Sequence, residues 1–220
     1  MNRRPAPGSA RPGLRIAIVA FDGFDDLGTL LAAALLSRLS TSGWKAEIAG
    51  PATRLTSMNG LTVEAQRPLE FANEADVVVF AANRYARAIA AGAGPAGSLL
   101  DRLQLDPLRQ TIGADGSGSL LLARLGLLAD MPAAADAATR PWLLEAGVRV
   151  EDAPFLARGP IATSGGALGV QYLAAWAMVR RAGWAAATQA LRGAAPAGEQ
   201  EAYVERLLAA LRPFVDDAPA

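Results

Sequence analysis

Four stretches of this chain are nearly continuous apolar runs of strand length, and each ends in a short polar or glycine-rich turn that leads into a helical pattern. LRIAIVAF (14–21) runs into DGFDD, DVVVFA (76–81) into ANR, TIGA (111–114) into DGSGS, and PIAT (160–163) into SGG. A strand apolar on both faces must be covered on both faces, and repeated strand–turn–helix units predict a mostly parallel sheet between two layers of helices.

The remaining pattern fills in around these runs. Helices are expected over 27–39, 97–103, 119–128, 141–146, 168–181 and 199–211. Further strands are expected over 44–49 and 61–65, with a hairpin pairing 148–150 with 155–157. Residues 1–13 (MNRRPAPGSARPG) are rich in Pro, Gly and Arg and read as a mobile tail; 14–215 reads as one α/β domain.

Composition removes whole chemistries. The 220 residues include no cysteine and no histidine, so a thiolate nucleophile, a disulfide, an imidazole base and a Cys- or His-ligated metal are all excluded. Basic and acidic side chains balance at 21 each, which argues against nucleic acid or an anionic membrane surface as a partner. Alanine supplies 50 residues, so the 52% apolar content overstates the large core side chains. No apolar run approaches the ~18 residues of a membrane helix, and 168–179 is interrupted by Gln171. The start of the chain lacks the apolar block of a signal peptide, and a soluble cytoplasmic protein is expected.

In open α/β sheets ligands sit beyond the carboxyl ends of the strands, which directs attention to 22–28, 81–87, 114–119 and 163–169. The segment 111–128 has the form of a nucleophile elbow, in which a tight strand-to-helix turn lifts one residue above the sheet. Asp115 and Ser117 flank its tip, and Asp22, Asp25 and Asp26 lie on a neighbouring turn. Two readings stand side by side. The carboxylates form a relocated acid/base pair, or Asp115 caps the elbow helix while Ser117 satisfies free N–H groups. The aspartates of DGFDD lack the alternation of a calcium loop, so no metal is expected. Arg84 and Arg87 could clamp an anion. Lys45, the only lysine, is expected to be exposed, and Trp44, Trp142, Trp176 and Trp184 to be packing residues.

Taken in order, IAIVAFDGFDDLGTL, SMNGLTVEAQRPLEFANEADVVVF, GSGSLLLARLGLLAD and GPIATSGGALGVQYLAAWAMVRRAGWAAATQALR resemble the ThiJ/PfpI family, relatives of the class I glutamine amidotransferases, across about residues 14–193. The resemblance implies a flavodoxin-like three-layer α/β/α sandwich. It also implies a cysteine at the elbow, and aligned on Gly118-Ser119-Leu120-Leu121-Leu122-Ala123 that cysteine falls on Gly116. The family's acidic residue in the first turn falls on Gly28. Its histidine after the elbow helix falls within Ala134-Ala135-Asp136-Ala137, and its Pro-Gly-Gly loop becomes Ala81-Ala82-Asn83. The cysteine-dependent activities of the family are therefore not expected here.

The resulting expectation is a degenerate site lined by Asp25, Gly28, Ala82, Asn83, Asp115, Gly116, Ser117 and Asp136. It holds a small polar or anionic metabolite or a partner, without metal or cofactor, in a protein that dimerises as relatives commonly do. The alternative is a hydratase or hydrolase using Asp115, Ser117 or Asp25 in place of the family residues. A third possibility is a scaffold subunit whose dimer surface is the function.

Overall fold

In the computed structural model, which describes residues 13–92 and 97–215, seven strands form one sheet in the spatial order 155–158, 161–164, 111–115, 77–80, 15–19, 45–50 and 67–68. In chain order the strands are β1 (Arg15–Val19), β2 (Lys45–Gly50), β3 (Arg54–Thr56), β4 (Thr62–Glu64), β5 (Arg67–Pro68), β6 (Val77–Phe80), β7 (Thr111–Asp115), β8 (Ala133–Ala134), β9 (Val150–Glu151), β10 (Phe155–Arg158) and β11 (Ile161–Ser164). All pairs in the main sheet are parallel except β10–β11 at its edge. The helices are α1 (Asp26–Leu36), α2 (Phe71–Glu74), α3 (Ala86–Ala90), α4 (Gly97–Leu100), α5 (Ser119–Arg124), α6 (Arg140–Glu145), α7 (Val170–Ala182), α8 (Trp184–Arg192) and α9 (Gln200–Val215).

The apolar runs become central strands because their alternate residues feed two separate cores. Ile16 and Ile18 of β1 and Val77 and Val79 of β6 face α1, α7, α8 and α9, where Trp176 is 1% exposed. Ala17, Val19, Val78 and Phe80 point the other way, against residues of α2 to α6 such as Leu121 and Leu143. Full burial of one such Ile, Leu or Phe side chain contributes about 1.5–3 kcal/mol. The expected three-layer α/β/α architecture is thus the observed one. A third cluster, Ala20, Phe24, Ile48 and Leu55, sits beneath the β3–β4 hairpin.

Three expectations are corrected. The hairpin pairing 148–150 with 155–157 does not form: Val150–Glu151 pairs in parallel with Ala133–Ala134, while Phe155–Arg158 pairs antiparallel with Ile161–Ser164. The tight reversal at Gly159 makes the second pairing the shorter closure. The segment 61–65 pairs only with β3 and stays outside the main sheet. After α7, Gly183 starts a separate helix, α8, whose amphipathic face covers the same core. The proposed tail, apart from residue 13, lies outside the described residues.

Candidate functional site

The four segments beyond the strand ends do meet, in a cavity of about 290 Å³. Asp25, Ala82, Asn83, Asp115, Gly116, Ser117 and Asp136 line it, together with Met58, Arg84, Ala138, Thr139, Trp142, Gly166 and Ala167. Gly28 lies just behind this wall, its backbone facing Asp25 and Asp115.

At the tip of the elbow Gly116 adopts φ +47°, a left-handed conformation that glycine tolerates and other residues enter at a cost. Elbows impose such strain on their nucleophile; here that position carries a hydrogen. The turn Gly116–Gly118 is 3₁₀ and passes into α5, which has only six residues. A helix this short has only a small dipole to offer an anion at the floor of the site.

Asp115 is the buried charge of the site. It is 1% exposed; its Oδ1 accepts a hydrogen bond from Ser164 Oγ at 2.7 Å, while its Oδ2 has no protein partner. Burial pushes this carboxyl up to about 7; the nearby Asp25 and Asp136 carboxylates add to that rise, and the Ser164 hydrogen bond opposes it. The expectation that Asp115 caps the elbow helix is not met, since its side chain makes no capping hydrogen bond.

The room for that carboxyl comes from Gly28. A Cβ on Gly28 would stand 2.8 Å from Asp25 Oδ2 and 3.0 Å from Asp115 Oδ2, too close on both sides. Losing a side chain at Gly28 therefore does not widen the cavity there. Asp25, the cap of the same helix, and Asp115, from the end of β7, converge on the vacated volume.

The other candidates have structural duties. Asp25 caps α1, its Oδ2 accepting from Gly28 N at 2.8 Å. Ser117 Oγ accepts from Asn83 N and donates to Asn83 O, both at 2.9 Å, so it pins the β6–α3 loop instead of satisfying helix N–H groups. Asn83 then donates through Nδ2 to Phe21 O and Asp22 O and accepts from Tyr85 N. Asp136 begins α6's approach, its carboxylate accepting from Thr139 N and Thr139 Oγ1.

The DGFDD aspartates diverge. Asp22 accepts from Thr56 N, and Asp26 accepts from Ser57 Oγ and Asn59 Nδ2, which hold its carboxyl below the usual range. Among the described residues no group of three acidic side chains is arranged to hold a metal ion. Of the two arginines, Arg84 lines the cavity, while Arg87 pairs with Glu145 at 2.8 Å and lies over Trp142. Lys45 is exposed, as expected, and pairs with Glu47 at 2.7 Å.

Sequence reasoning missed Met58, Thr139, Trp142 and Ser164. The turn TSGG did mark the region of Ser164, but its hydroxyl meets Asp115 only because β11 and β7 are sheet neighbours with Ser164 and Asp115 in register. Met58 arrives on the β3–β4 hairpin, whose backbone is tied to the β1–α1 turn by Met58 N to Phe24 O and Gly23 N to Thr56 O.

No protein-family model matches the sequence, and no curated protein matches it significantly. Solved structures do match in fold. Schizosaccharomyces pombe DJ-1 superposes with a TM-score of 0.69 at 15% identity, over 83% of this chain and 100% of that one. A ThiJ/PfpI family protein from Pseudomonas syringae gives 0.68 at 18% identity, over 96% and 95%. An AraC family transcriptional regulator from Pseudomonas putida gives 0.64 at 18% identity, over 83% and 100%. The chain has the flavodoxin-like DJ-1/ThiJ/PfpI fold.

Proposed function

We propose that this ThiJ/PfpI-like protein binds a small polar ligand, or a polar segment of a partner, in the cavity above the strand ends, without covalent chemistry. The carrying observation is Gly116: the elbow backbone takes the left-handed conformation of a nucleophile elbow, yet no side chain stands at its tip. Asp25, Asp115 and Asp136 face a single guanidinium, Arg84, across that cavity, which favours the polar class over the anionic one.

A second reading is general acid/base catalysis by Asp115. A buried carboxyl near 7 with an unpartnered oxygen beside a cavity suits proton transfer at neutral pH. Ser117 and Asp25 do not support it, because Ser117 Oγ is committed to Asn83 and Asp25 Oδ2 to Gly28 N.

The protein is also read as a cytoplasmic homodimer. No helix among the described residues is long and apolar enough to cross a membrane. The dimer is supported by apolar surface: Leu27 and Leu30 on α1 and Leu168 just ahead of α7 are 52%, 39% and 60% exposed.

A metabolite panel screened by thermal stabilisation, with products followed in parallel, tests the reading. A ligand at ~100 times its dissociation constant adds roughly 2.7 kcal/mol of stability. Stabilisation without turnover is expected. Turnover that disappears in Asp115→Asn would establish the acid/base reading instead.

A further inference from the structure

Three short helices on one face of the sheet, α3, α5 and α6, meet around a second cavity of about 420 Å³. Its walls are either apolar or charged. Ala90, Ala91, Ala123 and Ala146 face it with Leu120, and alanine is too small to fill the junction of three helices. Trp142 of α6 closes one side and also lines the cavity above the strand ends. Among the described lining residues there is no hydroxyl or amide side chain.

The charged part is cationic. Arg87 and Arg124 line the cavity against one carboxylate, Glu145. Glu145 is taken by Arg87, whose Nη2 donates to Glu145 Oε2 at 2.8 Å while the guanidinium lies over the Trp142 ring. Among the described residues Arg124 is answered only by Asp101, 3.9 Å away and beyond hydrogen-bond reach, with both side chains more than half exposed. An exposed pair at that separation offsets little of a guanidinium's charge. The best complement to Arg124 is a carboxylate, whose two oxygens match the guanidinium fork. A polyol would leave its hydroxyls unpaired against these walls, and an inorganic anion would leave the apolar part unused. An aromatic body carrying one carboxylate matches both parts.

We propose that this cavity binds a small aryl carboxylate, with its ring on the alanines, Leu120 and Trp142, its carboxylate on Arg124, and Glu145 as the guest's competitor. The site is separate from the one above the strand ends, and the reading given for that cavity stands or falls on its own. Glu145 holds Arg87 back from the guest; released from it, Arg87 adds a second cation to the same space.

The experiment titrates 2-naphthoate, 2-naphthylmethanol and 2-naphthylmethylammonium into the full chain, followed by ligand-observed NMR. Naphthoate is expected to bind most tightly of the three. It is expected to bind about tenfold more weakly to Arg124→Gln, the scale of one hydrogen bond to a charged group. Glu145→Gln is expected to strengthen binding about two- to fivefold, the scale of an exposed ion pair. A purely structural role for the Arg87–Glu145 pair would give no such gain. Arg124 and Glu145 are both more than half exposed, and circular dichroism verifies that the variants are folded.

Naphthoate binding that is absent, matched by the alcohol or the ammonium, or indifferent to Arg124→Gln overturns the assignment. An affinity unchanged or lowered in Glu145→Gln overturns it too. Loss of binding in Arg84→Gln, with Arg124→Gln without effect, places the carboxylate above the strand ends and overturns this site in favour of that one.

Discussion

Asp115 Oδ2 stands 3.0 Å from the point where a Cβ on Gly28 would lie, so the carboxyl at the end of β7 occupies room that the missing side chain on α1 leaves free. The two positions are coupled. Gly28→Ala is expected to destabilise the protein by about 1–3 kcal/mol through overpacking, and by less in an Asp115→Ala background. A double-mutant cycle from urea unfolding checks this; additive effects would mean that the two do not share the volume.

Asp115 also sets a pH dependence. An unfolded carboxyl titrates near 3.8 and the folded one near 7, so between these values the native state holds the extra proton. Stability attributable to this group is therefore full below the unfolded value, falls as pH rises through the window, and levels off above about 7. The span is up to about 4 kcal/mol, at 1.36 kcal/mol per pH unit. Asp115→Asn is expected to flatten the fall between pH 5 and 8 in denaturant unfolding; an unchanged slope would assign it elsewhere.

Gly116→Cys would install the missing sulfur, in a chain with no other cysteine to confuse labelling. Its Cβ would lie 3.0 Å from Asp136 Oδ2, on a backbone at φ +47°. A stability loss of about 1–2 kcal/mol is expected from the left-handed conformation. The surrounding carboxylates disfavour a thiolate, so alkylation by iodoacetamide at pH 7 is expected to be slower than for a free cysteine. Rapid alkylation would show that the elbow still activates a thiol.

Ser117→Ala removes both hydrogen bonds to the Asn83 main chain and is expected to cost about 1–3 kcal/mol. If any turnover is found, this variant should retain it once folded. A selective loss of kcat at unchanged thermal stability would make the hydroxyl a nucleophile after all.

Leu168 and Leu27 test the dimer. Leu168→Arg combined with Leu27→Arg is expected to shift the protein to monomer in sedimentation equilibrium without lowering Tm appreciably. A wild-type chain already monomeric at micromolar concentration would remove the dimer from the proposal.

The sheet was legible because its strands are buried on both faces and so advertise themselves as unbroken runs such as LRIAIVAF. The elbow was legible because the apolar strand TIGA runs into the helical pattern through only Asp115-Gly116-Ser117-Gly118, which leaves room for nothing but a tight turn. Pairing was not legible. Nothing in the local pattern tells Val150 to choose Ala133 over Phe155, because that choice depends on strand order. Ser164 joins Asp115 for the same reason, across 49 residues of sequence. The role of Gly28 was hidden because an absent side chain does not reveal which neighbour fills its place.

Asn83 has a broader consequence. Through its side chain and backbone it fastens the β1–α1 turn, its own loop and the elbow to one another. The floor of the cavity is thus preorganised before any guest arrives, and association need not spend free energy on ordering these three segments. Selectivity then comes from how well a molecule matches a fixed mould, and drift in any one of the three segments reshapes the floor for all.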